Sequence, residues 1–239
     1  MFRIWLCCIA IIVLNLSCKH SVDKTNDLPE PKENTAKKEI IKEEDTTEKE
    51  IEKTGINSVS TEFDEIIEEY GIQLDIRYAT KNNFTKQQIY SCGKCFLRPD
   101  VKKKLYLANQ YLREKYQYSL KLFDCYRPQP YQQKLWDVVP NPSYVTPPHK
   151  GSMHSRGSAV DLTIVDADGE ELDMGTPYDF FGEEAHIDYT NLKPNVLKNR
   201  ALLKKVMENY GFSAIRTEWW HFSFVAGNFA LDSWVWPCN

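Results

Sequence analysis

Ser152-Met153-His154-Ser155-Arg156-Gly157-Ser158-Ala159-Val160-Asp161 offers an imidazole and a carboxylate seven positions apart. Further on, Glu218-Trp219-Trp220-His221 adds a second carboxylate and a second imidazole. Catalytic zinc usually takes three protein ligands and leaves the fourth position open to water or substrate. His154, Asp161 and His221 make such a set. Glu218, three residues before a ligand, stands where a general base for a metal-activated water belongs. Taken alone, His154 reads as a loop residue bonded to backbone, Asp161 as a surface acid and the tryptophans as core. The two segments together favour a catalytic metal site. Asp124-Cys125-Tyr126-Arg127-Pro128 is the third segment of interest. The Arg127 guanidinium is charged at any working pH and suits the oxyanion of a tetrahedral intermediate. The competing reading is an ion pair with Asp124.

The elements that must position these groups follow from periodicity. On one straight strand, His154 and Asp161 would face opposite sides. A turn at Arg156-Gly157 resolves this, with a strand from Ser158 whose core face is Val160, Leu162 and Ile164 and whose other face is Ala159, Asp161 and Thr163. A bend is likewise required between Glu218 and His221. Alternation over 72–78 predicts a half-buried strand. Pro99-Asp100 opens a helix with Asp100 as N-cap and Val101, Leu105, Ala108 and Leu112 as its apolar stripe. A strand over 119–125 and a helix over 128–139 lead into a proline-rich loop. A helix over 195–210 carries Leu202, Val206 and Tyr210 in register and is closed by Gly211. A last strand holds Phe222 and Phe224. The expected fold is α+β, a small, mainly antiparallel sheet flanked by helices, with one zinc per chain held at the sheet.

The 239 residues carry a net charge of −4, and residues 19–60 set eight lysines against eleven acids. No basic patch suited to a phosphate backbone appears, which argues against nucleic acid as a partner. Residues 1–18 have the shape of a secretory signal: Arg3 is their only charge, and an apolar run over 4–16 precedes Ser17-Cys18. That run is short for a membrane span. Leu14-Asn15-Leu16-Ser17-Cys18 resembles a bacterial lipobox in which Cys18 is acylated, with Asn15 departing from the aliphatic preference. An ordinary cleaved signal is the alternative. Residues 19–60 read as a disordered charged tether and 61–239 as the catalytic domain. The expectation is an exported protein of the periplasm or cell envelope, touching a membrane only through an N-terminal lipid anchor. Cys92, Cys95, Cys125 and Cys238 then fit disulfides, with three pairings open, or free thiols. No second close pair exists to complete a structural zinc site with Cys92 and Cys95.

These segments, in this order, resemble the D-alanyl-D-alanine dipeptidase family, the zinc dipeptidases that include the vancomycin-resistance enzymes. The likeness runs from about residue 72 to 224. It takes in Asp75-Ile76-Arg77-Tyr78-Ala79-Thr80, Asn83-Phe84-Thr85, Asp173-Met174-Gly175-Thr176 and Asp179-Phe180 besides the three segments above. The resemblance implies zinc on His154, Asp161 and His221, Glu218 as general base and Arg127 as transition-state stabiliser. It also implies a small dipeptide substrate, with Tyr78 and Asp179 on its ammonium, Ser152 near its carboxylate and Asp124 supporting the pocket. A peptidoglycan D,D-carboxypeptidase or endopeptidase acting on stem peptides is the second reading. A non-catalytic zinc-containing envelope binding module is the third.

Overall fold

The computed structural model describes residues 62–238; the expected signal, the expected lipobox with Cys18 and the expected tether lie outside the described residues. Among the described residues, seven strands form two sheets. β1 (Asp64–Ile66) and β3 (Cys95–Leu97) make a small antiparallel pair. The main sheet has the order β2-β4-β5-β7-β6, built from Gln73–Leu74, Ser119–Asp124, Ala159–Val165, His221–Phe224 and Phe212–Ala214. Three of its pairings are antiparallel and one, β2 with β4, is parallel. The sheet is therefore mixed.

Among the described residues three α-helices flank it: α1 (Pro99–Tyr116), α2 (Gln129–Val138) and α3 (Pro194–Asn209). On α1 the expected stripe of Val101, Leu105, Ala108 and Leu112 is buried, and Asn109 joins it. The Asn109 side chain donates to the Tyr70 carbonyl and accepts from the Leu120 amide, both at 2.9 Å. The expected N-cap is corrected. Arg98 occupies that position without a side-chain bond to the helix N-terminus, and Pro99 opens the helix, where its missing N–H costs nothing. On α3 the buried positions are Val196, Leu203, Val206 and Met207 rather than Leu202 and Tyr210, which are only partly covered.

The strand expected over 72–78 keeps only Gln73–Leu74. Asp75 still donates to the Leu122 carbonyl, but the chain then turns through a 3-10 segment, Arg77–Ala79. That turn places Tyr78 inside the molecule. β5 is the central strand, and every residue in it is buried, including those on the face expected to be less apolar. Gly157 supplies the turn before β5 with φ +69°, and a Cβ there would strike the Phe63 ring. Two disulfides use all four cysteines among the described residues: Cys92 with Cys238, and Cys95 with Cys125.

Candidate metal centre and active site

Asp161 on β5 and His221 on β7 sit directly opposite each other in the antiparallel ladder. Strand pairing alone thus brings a carboxylate and an imidazole together across 60 residues of sequence. His154 arrives from the 3-10 turn His154–Arg156 just before β5. Its Nε2 lies 3.1 Å from His221 Nδ1 and 3.3 Å from Asp161 Oδ1, and His221 Nδ1 is 3.0 Å from that same oxygen. Donors about 2.0–2.1 Å from one tetrahedral zinc stand about 3.3 Å apart. The triangle of three facing donors therefore has the size that ion requires.

The surroundings set which atom of each ligand faces inward. His154 Nδ1 donates to the Cys125 carbonyl at 2.7 Å, which leaves the Nε2 lone pair on the triangle. His221 Nε2 bonds the Ser223 hydroxyl at 2.9 Å and turns Nδ1 inward. Tyr178 donates to Asp161 Oδ2 at 3.0 Å. Burial opposes ionisation of Asp161, but His154 and His221 hold its carboxyl well below the usual range. Burial likewise opposes charge on His154, and Asp161 nevertheless raises its affinity for a proton. A cation belongs among these groups.

Glu218 lies in the loop before β7, its Oε2 4.0 Å from His221 Nδ1. The expected bend is there. The Trp219 amide bonds the Ala185 carbonyl and the Trp220 carbonyl accepts from Leu162. Both tryptophans are core residues, as the plainer reading had it, and between them they fix Glu218. Burial pushes the Glu218 carboxyl up to about 7, against the pull of His221.

Arg127 makes the ion pair with Asp124 that was its competing reading. Its Nε donates to Asp124 Oδ2 at 3.0 Å, Nη2 bonds the same oxygen, and Nη1 donates to Gln132 Oε1 at 2.9 Å. Three of five N–H groups are thereby engaged, leaving two. Nη2 also stands 4.0 Å from Asp161 Oδ2, so the guanidinium borders the metal triangle. Asp124 is fully buried and accepts a further bond of 2.7 Å from Tyr90. Ser152 is buried, and its hydroxyl accepts from the His154 amide at 3.1 Å.

Tyr78 and Asp179 meet as expected, the phenol donating to Oδ1 at 3.3 Å. Asp179 has φ +60°, a left-handed conformation that few non-glycine residues adopt. Its Oδ2 is shut off from solvent and has no hydrogen-bond partner, while the Phe84 backbone amide favours the charged form of this carboxyl. Burial and the Asp161 charge push the carboxyl up to about 7. Arg200 pins the loop that carries it, donating to the carbonyls of Met174, Glu184 and His186. Beside it the Phe181 ring packs on Phe84 at 5.1 Å and stacks on Tyr144 of the proline-rich loop at 4.5 Å.

Five contributors escaped the sequence reading: Tyr90, Tyr178, Gln132, Ser223 and the Cys125 carbonyl. Only Ser223 had a signal, because a residue two positions after His221 on a strand shares its face. A separate concavity of about 1180 Å³ opens between α1 and the turn at Asp166–Gly169, and none of these residues lines it.

The family model for D-Ala-D-Ala dipeptidase matches residues 58–232. The D-alanyl-D-alanine dipeptidase of Escherichia coli (strain K12) is 37% identical over 63% of this chain and 78% of its own. That of Enterococcus faecium is 34% identical over 68% and 89%. A solved vancomycin-resistance D,D-pentapeptidase in complex with Zn(II) aligns over 68% of this chain and 84% of its own, at 15% identity and a TM-score of 0.38. With most of its length under one family model and relatives this similar, the chain belongs to the D-Ala-D-Ala dipeptidase family.

Proposed function

We propose that this protein is a zinc metallopeptidase that hydrolyses the D-alanyl-D-alanine dipeptide, at a site seated on the main sheet. The observation that carries the reading is the donor triangle of His154, Asp161 and His221 with Glu218 at its edge. Zinc held there would supply a Lewis acid for the scissile carbonyl and lower the pKa of water. Glu218 takes the proton from the attacking water and returns it to the leaving amine. A carboxyl raised toward neutrality is matched to both transfers. The free N–H groups of Arg127 face the oxyanion as it forms, already oriented by Asp124 and Gln132. Asp179 Oδ2, dehydrated and unpartnered, is a ready acceptor for the substrate ammonium, with Tyr78 holding the other oxygen. Ser152 retains its O–H to donate to the terminal carboxylate.

The ammonium acceptor favours a free dipeptide over stem peptides, whose chain continues where that ammonium would be. The presence of Glu218 and Arg127 beside the ligands speaks against a non-catalytic zinc module. Hydrolysis of the four alanyl-alanine stereoisomers, with and without chelator, tests the activity. Turnover of the D,D isomer alone, lost on chelation and restored by zinc, is the expected result. An acylated longer peptide cleaved faster than the free dipeptide would shift the assignment to a carboxypeptidase or endopeptidase. Export is part of the proposal: two disulfides suit an oxidising compartment, and acylation at Cys18 would tie the protein to a membrane.

A further inference from the structure

Residues 229–238 contain no helix or strand, yet they bond two segments of the site, the turn that carries His154 and the stretch that carries Arg127. The Asp232 amide donates to the carbonyl of Ser155, the residue after the ligand His154, at 2.9 Å. The Asp232 carbonyl accepts from the Gln129 amide at 3.2 Å, just beyond Arg127. Its carboxylate accepts from the Tyr126 hydroxyl at 3.3 Å and faces Arg98 Nη2 at 3.4 Å. The single Tyr126 proton is shared with the Trp234 carbonyl at 2.9 Å, and Arg156 donates to the Phe229 carbonyl. Trp236 is buried against Tyr90, whose hydroxyl holds Asp124. One residue, Asp232, thus joins the turn that presents His154 to the segment that supplies both its backbone acceptor, the Cys125 carbonyl, and Arg127. The far end of this stretch is fastened by the bond between Cys92 and Cys238.

We propose that residues 229–238 act as a strap that positions His154 and Arg127 for metal binding and turnover, with Asp232 as its positioning residue and the Cys92–Cys238 bond as its latch. The inference rests on the zinc site proposed above. The two disulfides differ in access: Cys238 is exposed and Cys92 partly so, whereas Cys95 and Cys125 are buried. A mild dithiol should therefore open the latch alone. It would reduce one S–S bond to two thiols and itself become a cyclic disulfide.

The test uses the full chain, loaded with zinc. Zinc affinity is read by competition with a chromophoric chelator, alongside kcat and KM for the dipeptide. Opening the latch until two additional thiols titrate should weaken zinc binding about 10–100-fold, the scale for groups that orient a metal ligand. It should lower kcat and leave KM within about twofold. Asp232→Ala, which removes the carboxylate that Tyr126, Arg98 and the Trp234 amide share, should act in the same direction, and the Cys92→Ser/Cys238→Ser pair should match the reduced protein. Reoxidation should restore the parent values. A role confined to stability would lower the melting temperature and leave zinc affinity at 25 °C unmoved. That outcome in the reduced, folded protein overturns the strap. A parent chain that fails to bind zinc would overturn the metal site as well, so the two failures are distinguishable.

Discussion

Asp179→Asn should make the protein more stable and a worse enzyme. The Asp179 carboxyl is raised from 3.8 to about 7, first by burial and then by Asp161. Every tenfold gain in proton affinity corresponds to about 1.4 kcal/mol, so the penalty for ionising this group in the folded state is up to about 4 kcal/mol. Partial access to solvent brings the expected figure to about 2–4 kcal/mol. The sign is that of an acid with a raised folded pKa. Between about pH 4 and pH 7 the folded chain holds a proton that the unfolded chain has lost, so stability falls as pH rises. Above pH 7 the full penalty applies. Asparagine carries no charge, fits the same space and tolerates the left-handed backbone. Urea denaturation with zinc chelated should therefore show the variant about 2–4 kcal/mol more stable at pH 8 and equal to the parent at pH 4. The same change removes a charge-assisted bond to the substrate ammonium, worth about 1.5–3 kcal/mol. KM should rise about 10–150-fold while kcat changes far less. Equal stability of the two proteins at pH 8 would refute the claim that this carboxylate is held ionised at a cost for the sake of binding.

Glu218→Gln should lower kcat by about 10²–10⁴-fold with zinc content unchanged by atomic absorption; a turnover near that of the parent would remove the general base. Arg127→Lys should lower kcat by about 10²–10³-fold and unfold close to the parent. Arg127→Met should also cost about 3–5 kcal/mol, because it strands the buried Asp124 charge, and thermal melting of the two variants separates these effects. Ser223→Ala leaves His221 Nε2 without its partner and should weaken zinc about 10–100-fold in a chelator competition. The paired change Tyr144→Ala/Phe181→Ala removes the ring stack that Phe181, two residues after Asp179, makes with the proline-rich loop and should increase hydrolysis of longer peptides relative to the dipeptide, measured as a ratio of kcat/KM.

The donor set was legible because few combinations of two imidazoles and two carboxylates at these spacings serve any other purpose. Arg127 was legible as a type and a position, and its pairing with Asp124 as the competing reading, but its bond to Gln132 depends on how α2 meets the end of β4. The stripe on α1 could be read directly, since a 3.6-residue period projects onto one face. Alternation over 72–78 misled. The same buried set, Ile72, Ile76 and Tyr78, is satisfied by a short strand followed by a 3-10 turn, and only tertiary contact decides between them. The pairing of Cys92 with Cys238 across 146 residues leaves no local trace. Residues 229–238 have no period at all, because their aromatics are placed by the groove they fill. Asp179 gave no hint that its backbone would be left-handed.

The opposition of Asp161 and His221 across β5 and β7 makes the sheet a gauge of its own assembly. A slip of one residue between these strands would invert every side chain along the moved one, turning a ligand away from its partner. An ion able to bridge the two would then find only one of them. Capture of zinc would hold the chain in the single alignment that catalysis requires, and misaligned molecules would be left without that added stability. In this way the cofactor would proofread the β-sheet that carries it.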